Sequence, residues 1–202
     1  MNRNRTCESR EADLIHRRSF LVCAAAAAAA PSLALAGAAR EGSNLDAIVG
    51  NVPPRLDMIC QRSGDVLDVR FFADGRYDRA ALERINVFMR DWRENETKQM
   101  SVRTLWALAA LRAASIKSGY GGRLVYLSGY RTERTNAKLR EQGAARNSKH
   151  IDAEAVDFTM SDAPLKKLRD FSRWLGVGGV GYYPRQSFIH VDSGPERAWG
   201  PA

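Results

Sequence analysis

Apolar and polar residues alternate over residues 65–72, and the alternation ends at the polar pair Asp74-Gly75. A period of two is typical of a strand with one buried face, so this stretch predicts a strand followed by a turn. Short runs rich in Val, Tyr, Phe and Ile predict four more strands, and the last two of them close the fold. These runs are residues 124–127, 155–158, 180–183 and 188–192.

Apolar residues recur at intervals of three or four after Asp78, whose side chain suits an N-cap position. This periodicity predicts a first helix, a second that stops near residues 118–119, and a third over residues 164–175 that is closed by Gly176. We expect the apolar stripes of these helices to lie in the core. The stripe residues are Leu82, Ile85, Met89 and Trp92, then Leu105, Leu108, Leu111 and Ile116, and finally Leu165, Leu168, Phe171 and Leu175.

The order of these elements indicates the fold class. Helices are grouped before and between strands that do not alternate regularly with them, which favours an α+β fold with an antiparallel sheet. We therefore expect a small antiparallel sheet with helices packed on one side.

The first 36 residues differ in composition from the rest. The pair Arg17-Arg18 precedes an apolar run that includes seven consecutive alanines and is too short to span a membrane. This pattern is typical of an export signal, and the arginine pair indicates the twin-arginine route to the periplasm. A basic amphipathic or core helix is the less favoured alternative. Residues 37–58, which include Pro53-Pro54, are predicted to be a linker, and residues 59–202 are predicted to form a single domain.

The net charge of the chain indicates which kinds of binding partner to expect. The chain carries 31 Lys and Arg against 23 Asp and Glu, a formal net charge of +8. Removing residues 1–36 takes away five Arg and three acids, which leaves 26 against 20, or +6. A basic exported protein suits a polyanionic partner such as the cell wall or a lipid headgroup layer. We expect no nucleic acid partner, no stable membrane insertion and a monomer.

Candidate chemistry gathers around the last two histidines. Six residues separate His150 from Asp157, and His190 follows in a predicted strand. Two His nitrogens and one carboxylate oxygen are a ligand set that zinc uses when its fourth position stays open. His150 and His190 could instead be ordinary buried histidines without a metal. The metal site is favoured because, once the signal is removed, these two are the only histidines left.

Asp192 lies two positions after His190, so the two side chains would share one face of a strand. An acid beside a metal-ligating histidine has two possible roles. It can act as a general base on the attacking water, or it can orient the ligand through a hydrogen bond.

The motifs resemble a known family. Ser148-x-His150-x-x-Ala153-x-Ala155-x-Asp157 resembles the Ser-x-His-x-x-Gly-x-Ala-x-Asp signature of the D-Ala-D-Ala metallopeptidase superfamily, which includes hedgehog-like domains. The segment Ser-Gly-Tyr-Arg at 128–131 resembles a segment upstream of that signature. The Arg-Asp-Trp-Arg segment at 90–93, the glycine-rich run 178–184 and the Phe-Ile-His-Val-Asp block at 188–192 resemble the murein endopeptidase K branch.

The resemblance implies a hedgehog/DD-peptidase-like fold and one zinc ion per chain held by His150, Asp157 and His190. It also implies that Arg131 stabilises the developing oxyanion. Two substrate contacts are expected as well, from Tyr130 and Ser148, and Asp192 is expected to be catalytic. The chain departs from the family pattern at two positions, where Ala153 replaces a glycine and Ser187 stands where many relatives carry a catalytic acid or histidine.

The function implied is zinc-dependent hydrolysis of peptidoglycan stem peptides, with cleavage of a cross-link during wall remodelling as the favoured activity and a bond following D-alanine as the expected target. Two alternatives stay open at this point. One is a D-Ala-D-Ala carboxypeptidase. The other is a non-catalytic, zinc-stabilised module that binds the cell wall.

Overall fold

The computed structural model describes residues 43–201, and the elements below belong to that range. Five α-helices are present: α1 (Asn44–Ile48), α2 (Arg79–Phe88), α3 (Val102–Lys117), α4 (Glu133–Leu139) and α5 (Leu165–Leu175). Short 3-10 turns at Val49–Asn51 and Arg140–Gln142 follow α1 and α4. The strands are β1 (Arg55–Cys60), β2 (Val66–Arg70), β3 (Phe72–Ala73), β4 (Arg76–Tyr77), β5 (Leu124–Ser128), β6 (Ala155–Thr159), β7 (Gly179–Tyr183), β8 (Phe188–Asp192) and β9 (Arg197–Trp199).

One large sheet organises the fold. Its seven strands lie in the order β2-β1-β5-β6-β8-β7-β9, while β3 and β4 form a separate hairpin. The β1–β5 and β7–β9 pairs are parallel, and the other pairs are antiparallel. The α+β prediction is confirmed, but the prediction of a small antiparallel sheet was wrong. The two parallel pairs arise because β1 and β9, which the sequence pattern did not predict, add to β5 and β7.

The hydrophobic core lies between one face of this sheet and the helices. Alternate positions of the strands supply apolar side chains, as with Val156 and Phe158 in β6 and Ile189 and Val191 in β8, all fully buried. Helices α2, α3 and α5 contact strands of the sheet. α3 is buried along most of its length because it packs against both β1 and α5. The opposite face of β6 and β8 is left for polar side chains.

The predicted linker was wrong over its described part. Ser43 caps α1 by accepting a hydrogen bond from the backbone N–H of Asp46, and Leu45 is fully buried in the core. β1 then begins at Arg55, directly after the Pro53-Pro54 pair. The prolines precede a strand rather than mark an extended spacer. The predicted export signal, residues 1–36, lies outside the described residues.

Two further differences concern the helices. The first predicted stripe ends early, because α2 stops at Phe88 and Trp92 is 46% exposed. The polar stretch before the histidine motif contains α4, which Thr132 caps by accepting a hydrogen bond from the backbone N–H of Thr135. α4 leads into residues that line the polar face of the sheet, so the helices do not all lie on one side. No helix within residues 43–201 has the length and apolarity that crossing a membrane requires.

Candidate metal centre

The candidate site lies along a single row of residues that crosses five strands. Register pairs Ser128 of β5 with Asp157 of β6, Asp157 with His190 of β8, His190 with Gly181 of β7, and Gly181 with Trp199 of β9. Directly paired residues in a sheet point to the same face. The row therefore brings side chains from four separate segments to one patch on the face opposite the helices.

His150 reaches this patch from the loop before β6. Its Nδ1 lies 2.6 Å from the backbone carbonyl oxygen of Gly129. A carbonyl oxygen only accepts, so Nδ1 carries the proton and Nε2 keeps its lone pair. Nε2 lies 3.2 Å from Oδ2 of Asp157. The loop thus fixes both the tautomer and the direction of the imidazole.

Asp157 lies between the two histidines. Its Oδ1 is 2.9 Å from Nδ1 of His190, and one ligand atom from each of the three residues lies within 4.8 Å of the other two. All three side chains are buried. The structure therefore brings together the three residues predicted to bind the metal, in a set whose atoms could surround one small cation.

Protonation states follow from burial and from these contacts. Burial opposes ionisation of Asp157, but hydrogen bonds and Coulombic attraction from both imidazoles hold its pKa well below the ordinary value. Burial lowers the pKa of His150, an effect that Asp157 only partly offsets. Burial also opposes the charge on His190, yet Asp157 and Asp192 together raise its pKa to about 9. A cation would compete with the proton on Nδ1 of His190, since ligand nitrogens must be deprotonated.

Asp192 lies behind His190. Its Oδ2 is 2.9 Å from Nε2 of His190, and its Oδ1 accepts hydrogen bonds from the backbone N–H groups of Gly179 at 3.0 Å and Gly194 at 2.8 Å. Arg197 donates to both oxygens. Although full burial opposes ionisation, the hydrogen bonds from His190 and Arg197 hold the pKa of Asp192 far below its ordinary value. A carboxylate so fully bonded is a poor proton acceptor, and its position favours the role of orienting His190.

Arg131 borders the other side of Asp157. Its Nη2 donates to Oδ2 of Asp157 at 2.6 Å, and its Nε donates to Oγ of Ser128 at 2.9 Å. Nη1 has no hydrogen-bond partner within residues 43–201, and Arg131 lines the cavity above the site. Two hydrogen bonds thus hold the guanidinium in place while one of its nitrogens stays available to a ligand.

The cavity over the row has a volume of about 720 Å³. Its aromatic wall includes Trp199, whose indole centroid lies 5.2 Å from that of His190 and whose Nε1 donates to Oη of Tyr183 at 2.7 Å. Gly181 makes room for this wall, because a Cβ there would lie 2.6 Å from the Trp199 ring. Ser148 lines the cavity, as predicted for a substrate contact, whereas Tyr130 does not line it. Asp157 is the only acidic side chain in the lining formed by the described residues.

Asp91 is a residue of this region whose part the sequence did not indicate. It is buried, and its Oδ2 accepts hydrogen bonds at 2.9 Å from both the backbone N–H and the hydroxyl of Thr132, the residue after Arg131. Nearby, the carbonyl of Met89 accepts from the backbone N–H of Tyr130. These contacts tie the corner that carries Arg131 to a segment about 40 positions earlier. The Arg-Asp-Trp-Arg motif at 90–93 marks the segment, but the motif does not say what Asp91 contacts.

Known proteins are similar in sequence to most of the described chain. Residues 51–199 match a family described as peptidoglycan L,D-endopeptidase MepK. The probable peptidoglycan L,D-endopeptidase MepK of Haemophilus influenzae is 36% identical over 142 residues, which cover 68% of this chain and 74% of that protein. The peptidoglycan L,D-endopeptidase MepK of Escherichia coli K12 is 36% identical over 140 residues, which cover 68% of this chain and 75% of that protein.

Proposed function

The chain belongs to the peptidoglycan L,D-endopeptidase MepK family, and on that premise we propose that it cuts peptide cross-links in peptidoglycan with one zinc ion held by His150, Asp157 and His190. Membership of this family makes the protein a peptidoglycan-hydrolysing metallopeptidase. The observation that carries the proposal is the convergence of these three side chains within 4.8 Å in the wall of one cavity.

The donor set supports zinc. Two imidazole nitrogens and one carboxylate oxygen match zinc sites that keep a fourth position open for chemistry. The hydrogen bond from Nδ1 of His150 to the carbonyl of Gly129 leaves the lone pair of Nε2 available to a metal ion. Asp192 accepts a hydrogen bond from Nε2 of His190, the nitrogen that faces away from Asp157. When bound, zinc would supply a Lewis acid for the scissile carbonyl and the attacking water.

Arg131 is proposed to be a catalytic residue that stabilises the developing oxyanion. Its guanidinium is fixed by Ser128 and Asp157, so the charge needs no reorganisation as the carbonyl oxygen becomes negative. Ser148, in the cavity wall, is proposed to contact the stem peptide. Asp192 is proposed to hold His190 in place rather than to move a proton.

The target bond is proposed to be an L,D bond of the cross-link. The relatives are named L,D-endopeptidases, so we do not retain the sequence-based expectation of a bond following D-alanine. The same names favour an endopeptidase over a D-Ala-D-Ala carboxypeptidase and over a non-catalytic wall-binding module.

Periplasmic residence by the twin-arginine route is part of the proposal. Its support is the Arg17-Arg18 pair before the alanine-rich run and the location of peptidoglycan outside the inner membrane.

Digestion of purified cross-linked muropeptides tests the proposed function directly. Mass spectrometry of the products from zinc-loaded protein is expected to show two fragments that result from water addition at an L,D peptide bond. The matched control is Ser187→Ala, in the turn before β8, which should retain the activity, while His190→Ala should lose it. Release of a single terminal D-alanine by the wild type would instead establish a carboxypeptidase, and no product at all would overturn the proposal.

A further inference from the structure

A second groove, which shares no lining residue with the cavity over the metal site, lies between α2 and the edge of the sheet formed by β1, β2 and β5. Its volume is about 550 Å³. Leu127 lines this groove, while Arg131, four residues later, lines the other cavity. The groove is therefore separate from the site but lies next to it along the chain.

Apolar side chains are unusually exposed around this groove. Four large hydrophobic residues are exposed among residues 43–201, and three of them line it. They are Val66 at 55%, Val87 at 52% and Trp92 at 46% exposure. Exposed apolar side chains gathered in one concave place are typical of a binding surface rather than of a surface that only faces solvent.

Arginines without acidic partners surround the same groove. The guanidinium carbons of Arg62 and Arg93 each lie 4.4 Å from the ring centroid of Trp92, so the indole holds both cations in place. Arg62 lines the groove, as do Arg84 and Arg90, while Arg93 lies beside it on the Trp92 ring. Arg84 and Arg90 bond only to backbone carbonyls and to Asn95. Within residues 43–201, none of these four has a carboxylate within ion-pairing distance.

The basic side chains that line the metal-site cavity are paired with acids. Arg131 is paired with Asp157, Arg197 with Asp192, and Lys149 with two nearby acids. Two acids line the groove: Glu83 pairs with Arg79, and Asp65 accepts a hydrogen bond from Ser63 but has no cationic partner within residues 43–201. Three unpaired arginines against one unpaired carboxylate therefore give the groove an excess of positive charge beside apolar surface, whereas the cationic side chains of the metal-site cavity are all paired.

We propose that this groove binds a second segment of peptidoglycan, with stem-peptide carboxylates on Arg62 and Arg93 and the apolar parts of the same strand against Val66, Val87 and Trp92. The inference rests on the proposed function, because the polymer that the enzyme cuts is also the anionic polymer at hand. A concave groove fits a chain better than it fits the flat surface of a bilayer. Binding there would hold the enzyme on an insoluble wall while the metal site acts on a neighbouring cross-link.

The test compares two substrates. The double variant Arg62→Gln, Arg93→Gln should release peptides from intact sacculi about 2- to 30-fold more slowly than the wild type, the loss expected for two exposed ion pairs. Its kcat/KM on a small soluble muropeptide should be unchanged, because neither arginine lines the metal-site cavity. The control Arg76→Gln, Arg173→Gln removes the same charge from exposed positions elsewhere and should match the wild type on both substrates. Trp92→Leu, which removes the support for both guanidiniums, should reproduce the selective loss.

Three results would overturn the groove proposal. The first is equal activity of the double variant and the wild type on sacculi. The second is an equal loss on sacculi and on the soluble muropeptide. The third is arginine-dependent binding to vesicles of phosphatidylglycerol and phosphatidylcholine without binding to sacculi, which would assign the groove to a membrane surface. A wild type that cuts neither substrate would overturn the proposed function alone, and co-sedimentation with sacculi would still decide whether Arg62 and Arg93 bind the wall.

Discussion

Asp91 accepts two hydrogen bonds from Thr132, one from its backbone N–H and one from its hydroxyl, both at 2.9 Å. Thr132 follows Arg131 directly and caps α4, so one buried carboxylate holds both the corner that carries the guanidinium and the start of a helix. The position of Arg131 thus depends on a residue that does not line the cavity.

Asp91→Asn is expected to slow turnover of cross-linked muropeptides roughly 10- to 100-fold, because a displaced Arg131 no longer faces the substrate carbonyl. The free energy of unfolding should fall by about 1–3 kcal/mol as a buried donor loses its acceptor. In an Arg131→Ala background the same change should cost little further activity, since both variants then remove one effect. Kinetics of the four proteins, with metal content measured for each, test this.

Asp78→Ala is the control for stability. It removes the N-cap of α2, away from the cavity, and should cost about 1 kcal/mol of stability with no change in kcat. If the rate losses of Asp91→Asn and Arg131→Ala multiply in the double variant, Asp91 acts on the fold in general and not through Arg131.

Arg131→Ala should lower kcat on a soluble muropeptide about 100-fold or more, because it removes a fixed positive charge from the developing oxyanion. Arg131→Lys should recover only part of the rate, since an ammonium cannot bond both Ser128 and Asp157 in the geometry of the guanidinium. Steady-state kinetics at saturating zinc provide the measurement. A wild-type rate in Arg131→Ala would exclude Arg131 from the chemistry.

His190→Ala should lose stoichiometric zinc, which elemental analysis of the purified protein would detect. Added zinc should raise the Tm of the wild type, by the equivalent of about 2.7 kcal/mol at 100 times the Kd, and should leave the Tm of the variant unchanged. Ser187→Ala should behave as the wild type does. Retention of one zinc per chain by His190→Ala would remove this residue from the ligand set.

Asp192→Asn separates the two roles considered for this carboxylate. If Asp192 orients His190, the variant should bind zinc about 10- to 100-fold more weakly, and excess zinc should restore much of its activity. If Asp192 were a general base, zinc affinity would hold and the rate would stay low at any zinc concentration. A zinc titration followed by both competition binding and activity distinguishes these outcomes.

The sequence predicted those parts of the site that depend on local pattern. The strand character of residues 155–158 and 188–192 placed Asp157 and His190 in strands, as the structure does. The predicted sharing of one face by His190 and Asp192 agrees with their contact at 2.9 Å. These features follow from the period of a strand, which a single segment reveals.

Features that depend on distant contacts could not be predicted in this way. The carboxylate of Asp192 accepts hydrogen bonds from Gly179, Gly194 and Arg197. No local sequence pattern shows that these three residues come together around it. Trp92 continued the apolar stripe of α2, yet the helix ends at Phe88 and a bridge between Asp91 and Glu96 redirects the chain. β1 was missed because the proline pair before it resembles a linker, although its alternating burial is that of an ordinary strand.

The transverse row from Ser128 to Trp199 limits how this chain can vary. Asp157 and His190 face one another only in the present pairing of β6 with β8, so deleting one residue from either strand would turn its ligand toward the helices. The turn at residues 184–187 joins β7 to β8 without contributing a ligand, and it can change in length while the strand pairing keeps the ligands together. Single-residue deletions should therefore be tolerated in that turn and not in β6 or β8. A library of such deletions, screened for zinc retention, would reveal this pattern.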